Sequence, residues 1–324
     1  MVALQKPRLL FEAQTPEIAA FAADALAGLS ATPKRILAKY FYDHEGSRLF
    51  EEITRQPEYY PTRCEIEILR THAADMASFI PDDAVLIEFG SGSATKAKIL
   101  LEAAASKLAA YIPVDISREF LEQEASELRR AFPDLIVAPV AADIMHPFEL
   151  PAVADRKPRA GFFPGSTIGN LEPHDAAAFL RNAGALLGPN SLLIVGVDLV
   201  KDAEILNAAY NDKAGVTEAF NLNLLTRMNR ELAADFKPET FEHHAFYNRE
   251  RRRIEMHLAS LKRQKVKVAG QVIDFRAGDT IHTENSYKYT LGSFSALARG
   301  SRWTPVATWT DSQNLFSVHA LIHR

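Results

Sequence analysis

Residues 85–96 read VLIEFGSGSATK, in which an apolar run ends in two glycines one residue apart, Gly90 and Gly92. A run of helix-forming composition, residues 97–108, follows directly. The pattern predicts a buried strand, a tight turn and the start of a helix. Glycines let the backbone N–H groups of such a turn approach a ligand closely, and a helix N-terminus favours negative charge. The stretch therefore predicts a turn that binds a nucleotide-like cofactor, without identifying which one.

Predicted strands and helices alternate from Val85 onward. Further strands are predicted at 109–115, 135–140, 160–164 and 191–198, and a helix is predicted over 173–187. Continuous apolar strands separated by helices indicate a parallel sheet that is covered on both faces. Ligands of such sheets bind outside the carboxyl ends of the strands. Because Gly90, Asp115, Asp143 and Asn170 all follow predicted strands, we expect them to lie near one another.

The pattern changes after Asp198. Residues 201–235 are predicted to be mostly helical, and strands are predicted at 253–259, 265–268, 271–275 and 280–289. A helix over 290–299 and two strands, 303–309 and 316–323, complete the chain. The predicted fold class is α/β, a Rossmann-like sheet with an antiparallel C-terminal hairpin plus a smaller α+β domain. The expected cofactor domain comprises 61–199 and 287–324, and the expected substrate-binding domain comprises 1–60 and 200–286.

Composition limits the class of protein. The chain has 324 residues, 47% of them hydrophobic, and a formal net charge of −4, so no overall charge attracts it to nucleic acid or to a membrane. One cysteine, Cys64, excludes an intramolecular disulfide. Glu12 and Glu17 interrupt the apolar residues near the N-terminus, which argues against a signal peptide. We expect a cytoplasmic protein, a monomer, that acts on a small molecule.

The residues after the strands favour one cofactor. A dinucleotide site requires a third glycine or an alanine where this chain has Thr95, and the phosphate-binding Walker loop is absent. A strand that ends in E-x-G-x-G, followed by a strand that ends in an acid, suits S-adenosyl-L-methionine (SAM). Asp115 can accept both ribose hydroxyl protons, and Asp143 can accept from the adenine amine with Ile144 against the ring. Lys96 can pair with the methionine carboxylate.

Methyl transfer from a sulfonium requires little covalent chemistry from a protein. It requires a nucleophile held close and in line, with its lone pair free. Substrate-orienting groups are therefore the features to seek, rather than a catalytic triad. No Ser-His-Asp spacing and no metal-ligand spacing stands out among the ten histidines, so we expect no metal.

The stretch FPGSTIGNL, residues 163–171, resembles the signature loop of the histidine-specific SAM-dependent methyltransferases. These enzymes make Nα-trimethylhistidine (hercynine) in ergothioneine biosynthesis. Matching stretches occur in register at 42–63, 209–232, 253–256 and 283–286, so the resemblance covers nearly the whole chain. It implies trimethylation of the α-amine of L-histidine.

The resemblance also implies roles for individual residues. Asn170 and Tyr210 would hold the substrate carboxylate. Tyr59, with Tyr42 nearby, would face the amine and act in catalysis. A pair of phenols can orient an amine without a strong base.

Three further residues are implied to surround the imidazole ring. Glu284 and Ser286 would form hydrogen bonds with it, and Met256 would shape the ring cavity. Elementary chemistry agrees, because a buried carboxylate is costly unless it is paired with a donor, and an imidazole N–H is such a donor.

Two alternatives remain open. The same scaffold could methylate another amino acid or a biogenic amine. The chain could instead bind RNA through the arginines of residues 249–253, although the acidic net charge and the absence of a basic domain argue against it.

Overall fold

The structure is a computed structural model that describes residues 15–324. Glu12 and the rest of residues 1–14 of the expected substrate-binding domain lie outside the described residues. Within the described part, the α-helices are α1 Pro16–Ser30, α2 His44–Thr54, α3 Tyr60–Ser78, α4 Thr95–Ala104, α5 Arg118–Ala131, α6 Pro173–Leu187, α7 Ala203–Ala209, α8 Val216–Glu231 and α9 Leu291–Gly300. The strands are β1 Lys34–Arg35, β2 Ala84–Phe89, β3 Leu108–Asp115, β4 Ile136–Val137, β5 Val140–Ala141, β6 Arg159–Phe163, β7 Leu192–Asp198, β8 Phe241–Asn248, β9 Arg253–Ser260, β10 Gln264–Val268, β11 Gln271–Phe275, β12 Thr280–Tyr287, β13 Trp303–Thr310 and β14 Phe316–His323.

The larger sheet has eight strands in the order β13-β14-β7-β6-β2-β3-β4, with β5 also paired to β3. The pairs from β7 to β4 are parallel, whereas β14 pairs antiparallel with both β7 and β13. Consecutive residues of β2 point to opposite faces: Leu86 belongs to one hydrophobic core and Ile87 to a second. The predicted parallel sheet with an antiparallel C-terminal hairpin is confirmed.

The smaller sheet has four strands in the order β1-β12-β9-β8, and β10 and β11 form a separate hairpin. A bulge between His282 and Glu284 interrupts the pairing of β12 with β9. Helix α8 packs on this sheet through buried residues such as Phe220 and Leu224. The smaller α+β unit is thus present beside the larger sheet.

Several details differ from the sequence expectations, and the helix predicted over 97–108 is α4, which ends at Ala104. The strand predicted at 135–140 is divided into β4 and β5, because Pro139 lies between them and has no N–H to donate to a ladder. Strand β8 was not predicted, since the polar residues of 241–248 give only weak alternation.

The chain returns from the smaller to the larger sheet directly after β12. There the N–H of Tyr289 donates to Asp198 O at 3.0 Å, and the N–H of Val200 donates to Tyr289 O at 2.9 Å. These bonds place the end of β12 against the carboxyl end of β7. None of the helices in residues 15–324 combines the length and the apolar character needed to cross a bilayer.

Candidate active site

A cavity of about 1060 Å³ lies at the carboxyl edge of the larger sheet. A smaller recess of about 50 Å³ shares part of this lining and is also lined by Met256 and Ser286 of the smaller sheet. Tyr42, Tyr59, Asn170 and Glu284 line both spaces, so they stand where the two meet.

All six residues predicted to hold the cofactor line the larger cavity: Gly90, Gly92, Lys96, Asp115, Asp143 and Ile144. Gly90 has a φ of +69°, a conformation that favours glycine. A Cβ added at Gly92 would meet no atom within 4 Å, so the backbone of the turn is open to the cavity.

Two carboxyl groups line the cavity near the glycine turn. Asp115 accepts a hydrogen bond from the N–H of Ser117 at 2.8 Å, and burial raises the pKa of Asp115 to about 6. Glu88, at the end of β2, accepts hydrogen bonds from Ser91 Oγ at 2.7 Å and from the hydroxyl of Tyr111. Burial raises the pKa of Glu88 to about 7. Glu88 therefore fastens the glycine turn to the sheet, while the Asp115 carboxyl lines the open cavity.

Asp143 already has protein partners. It accepts from the N–H of Met145 at 3.0 Å and from Lys39 Nζ at 3.3 Å. Burial acts to raise the pKa of Asp143, but these donors outweigh it and hold the pKa below its usual value. Its role toward an adenine amine stays a prediction.

Lys96 also has a partner. Its Nζ lies 2.6 Å from Glu65 Oε2, and Glu65 additionally accepts from the N–H of Gly165 at 2.9 Å. Gly196 makes room for this carboxylate, since a Cβ there would lie 2.0 Å from Glu65 Oε1. The charge of Lys96 is therefore compensated within the protein, and its predicted pairing with a methionine carboxylate stays a prediction. No motif or spacing in the sequence marks Glu65 as part of the site.

The seven residues predicted to contact the substrate all line the recess: Tyr42, Tyr59, Asn170, Tyr210, Met256, Glu284 and Ser286. Glu284 and Ser286 are two residues apart on β12, so both side chains point to the same face of the strand. Met256 on β9 pairs with Glu284 and is 1% exposed. The smaller sheet thus supplies one wall of the recess.

The recess carries polar groups that lack protein partners. Among residues 15–324, the carboxylate of Glu284 and the hydroxyls of Tyr42 and Tyr59 make no hydrogen bond, although all three line the recess. Burial raises the pKa of Glu284 to about 7, against the opposing charge of Lys288. Burial also raises the pKa of both tyrosines well above the usual value, so both are neutral phenols near pH 7. These three groups are therefore available to a ligand.

Sequence reasoning missed a buried charge network in the wall of the recess, where Asp198 and Lys288 are also lining residues. Asp198 accepts from Lys288 Nζ at 2.7 Å, from the hydroxyl of Tyr60 at 2.7 Å, and from Lys201 Nζ. Burial acts to raise the pKa of Asp198, but the two lysines outweigh it and hold the pKa below its usual value. Burial lowers the pKa of Lys201 to about 8. The only sequence signal was positional: Asp198 ends β7, and Lys288 follows Ser286 by two residues.

A further cluster lies in the smaller sheet, where donor atoms of Glu255, His257 and His282 come within 4.8 Å of one another. Two of its three members have close partners elsewhere in the smaller sheet, whereas Nδ1 of His257 has no hydrogen-bond partner among the described residues. Glu255 accepts from Arg253 Nε at 2.8 Å, and His282 Nε2 lies 3.0 Å from Glu284 O. We assign no metal to it.

Arg253 belongs to the arginine-rich run 249–253, but it is 5% exposed and contacts Glu172 at 2.9 Å. It is therefore not free to bind RNA.

Known proteins resemble the chain closely. The family model described as "Histidine-specific methyltransferase, SAM-dependent" matches residues 21–323. The histidine N-alpha-methyltransferase of Mycobacterium tuberculosis is 40% identical over 300 residues, which cover 91% of this chain and 92% of that protein. The enzyme of the same name from Mycolicibacterium smegmatis is 41% identical over the same shares of the two chains. Ergothioneine biosynthesis protein 1 of Neurospora crassa is 33% identical over 89% of this chain and 33% of that longer protein.

Proposed function

The chain belongs to the family of histidine-specific, SAM-dependent methyltransferases, and on that premise we propose that it transfers three methyl groups from SAM to the α-amine of L-histidine. The product would be hercynine, as the first step of ergothioneine biosynthesis. One observation carries the proposal at the level of the site: Glu284 and Ser286 line the same recess, and that recess shares Tyr59 with the lining of the large cavity.

The large cavity suits SAM. SAM supplies an electrophilic methyl group on a sulfonium, whose departure leaves a neutral thioether. The open backbone at Gly90 and Gly92 would hold the amino acid part, and Asp115 would accept from the ribose hydroxyls. Asp143 and Ile144 would bind the adenine. Lys96 would reach the carboxylate while it keeps its contact with Glu65.

The recess would hold histidine by both ends. Asn170 would bind the carboxylate. Tyr210, the other residue expected there, lines the recess, but its one hydroxyl proton is donated to Ser286 Oγ at 2.8 Å, so we assign it no hydrogen bond to the carboxylate. Glu284 would accept the N–H of the imidazole, Ser286 would contact the other ring nitrogen, and Met256 would close the ring cavity. Because a charged donor or acceptor is costly to bury unpaired, Glu284 favours a ligand with an N–H at that position.

The amine would then lie at the junction of the two spaces, beside Tyr59 and Tyr42. Both phenols are neutral, so their oxygens can accept N–H bonds and aim the nitrogen lone pair at the methyl group. The geometry supplies proximity and orientation, which account for much of the rate in such transfers. The nitrogen would lose one proton to water in the cavity before the first transfer, since the α-ammonium has no lone pair, and one more after each of the first two transfers, three protons in all. The third transfer starts from a tertiary amine and yields a quaternary ammonium that has no proton to lose.

We also propose a division of labour between two parts of the chain. Residues 61–199 and 287–324 would form the cofactor domain, and residues 1–60 and 200–286 would form the substrate-binding domain. The position of β12, which ends against β7, supports a site built by both parts.

The proposal is tested by incubating the protein with SAM and, separately, with each amino acid and a set of biogenic amines. Mass spectrometry should detect histidine that carries three added methyl groups. Methylation of a different amine in place of histidine would favour the same scaffold with another substrate, and Glu284→Ala should weaken turnover of histidine in particular.

A further inference from the structure

We infer that Lys288 is a positioning residue, which fixes the hydroxyl of Ser286 as a hydrogen-bond donor to the unprotonated ring nitrogen of the substrate. The inference rests on the proposed function and extends it. The pair Glu284 and Ser286 then recognises the neutral imidazole, which carries one N–H and one nitrogen lone pair.

The ammonium of Lys288 uses all three of its protons within the protein. It donates to Asp198 Oδ2 at 2.7 Å, to Ser286 Oγ at 2.8 Å and to the Tyr210 hydroxyl oxygen at 3.2 Å. The side chain is 1% exposed. An ammonium has three donors and no acceptor, so its position is fully determined by these contacts.

Ser286 Oγ receives two hydrogen bonds. Lys288 donates to it at 2.8 Å, and the hydroxyl of Tyr210 donates to it at 2.8 Å. A hydroxyl oxygen has two lone pairs and one proton. Both lone pairs are therefore occupied, and the proton of Ser286 meets no acceptor among the residues that the structure describes. Since Ser286 lines the recess, that proton is available to a ligand atom that can accept.

Glu284 supplies the complementary half. An ionised carboxylate accepts only, whereas the directed hydroxyl of Ser286 donates. A neutral imidazole satisfies both at once. An imidazolium, with N–H groups on both nitrogens, would leave the Ser286 proton unpaired and facing another donor. Without Lys288, Ser286 could rotate and accept instead, and the discrimination would be lost.

Lys201 offers a matched control. It contacts the same Asp198 carboxylate, and its Nζ lies 2.6 Å from the hydroxyl of Tyr60. Its hydrogen bonds do not include one to Ser286. Replacing either lysine by methionine removes one positive charge from Asp198, but only the change at Lys288 alters the contacts of Ser286.

The test is a double-mutant cycle on kcat/KM for histidine with Lys288→Met and Ser286→Ala. If Lys288 acts through Ser286, the fold-loss of kcat/KM in the double variant should be about tenfold smaller than the product of the fold-losses in the two single variants. The cycle of Lys201→Met with Ser286→Ala should show a much smaller shortfall. Independent effects of Lys288→Met and Ser286→Ala, whose losses simply multiply, would overturn the inference.

A substrate analogue separates positioning from a general structural role. Alanine that carries a pyrrole ring keeps an N–H and lacks the second nitrogen lone pair. Lys288→Met should lower the ratio of kcat/KM for histidine to that for the pyrrole analogue by about tenfold. Equal losses on both substrates would contradict the inference. If Lys288→Met does not fold, Lys288→Gln serves in the same measurements. Failure of the wild-type protein to methylate histidine would instead reject the proposed function, and this inference with it.

Discussion

The hydroxyl of Tyr60 donates to the carboxylate of Asp198 at 2.7 Å, across 138 residues of sequence. Tyr59, the neighbouring residue, lines the recess, whereas Tyr60 is not among its lining residues. Two neighbouring tyrosines therefore have separate environments, one in a structural network and one at the junction of cavity and recess.

The pair predicts opposite phenotypes for the same chemical change. Tyr59→Phe should lower kcat for histidine by ~10²-fold, because an amine that loses its orienting acceptor leaves the in-line position. Tyr60→Phe should instead lower the free energy of unfolding by about 1–3 kcal/mol, because it removes a hydrogen bond to a buried carboxylate. Steady-state kinetics and chemical denaturation of both variants check this. A normal kcat in Tyr59→Phe would remove Tyr59 from the mechanism.

Histidine binding should depend on the ionisation of Glu284. Burial raises the pKa of this carboxyl to about 7 in the empty recess, so the accepting carboxylate predominates only above that pH. Affinity should therefore fall as the pH falls through about 7. The charged and titratable groups that face Glu284 are Lys288 and the neutral phenols of Tyr42, Tyr59 and Tyr210.

The measurement is calorimetric titration of histidine into protein loaded with S-adenosylhomocysteine. The free imidazole itself titrates near pH ~6.5, so wild type must be compared with Glu284→Gln at each pH. The ratio of their affinities should rise between about pH 6 and pH 8. A ratio that does not change with pH would show that the carboxylate does not receive the ring N–H.

Asp115 should govern affinity for the cofactor and not for histidine. Asp115→Ala removes the only ribose acceptor we propose, and loss of hydrogen bonds to a charged group costs about 1.5–3 kcal/mol. The dissociation constant of S-adenosylhomocysteine should rise by roughly 10- to 100-fold. Equilibrium binding measures it, with Asp143→Ala as a parallel test of the adenine end. Unchanged binding in Asp115→Ala would place the ribose elsewhere.

The two glycines of the cofactor turn should respond differently to alanine. Gly90 has a φ of +69°, so Gly90→Ala should lower stability by about 1–2 kcal/mol through backbone strain. Gly92 carries no such constraint, and its added methyl would project into open space. Gly92→Ala should therefore keep the melting temperature and weaken cofactor binding. The opposite pattern in thermal unfolding and binding would mean that the turn holds the cofactor differently.

Local sequence patterns were sufficient for most of the fold. Helix α6 spans 173–187 as predicted, because Pro173 begins it and Gly188-Pro189-Asn190 ends it. The order of strands and helices predicted the parallel sheet and its C-terminal hairpin, and both are confirmed. The motifs in the sequence also identified residues of the cavity, since every predicted site residue lines the cavity or the recess. Their individual roles stay predictions.

Interactions between distant parts of the chain were not predictable. Glu65 pairs with Lys96, and Asp198 pairs with Lys288, yet neither pair has a spacing in sequence that marks it. Such pairs depend on which strand ends meet and on the space left by residues such as Gly196. A single sequence specifies the elements more readily than it specifies the buried charges that cross between them.

The most direct measurement is a crystal structure of the protein with S-adenosylhomocysteine and L-histidine. We predict that the thioether lies over Gly90 and Gly92, that the imidazole contacts Glu284 and Ser286, and that the α-amine lies beside Tyr59 and faces the sulfur. Histidine bound in the reverse orientation, or outside the recess, would contradict the account.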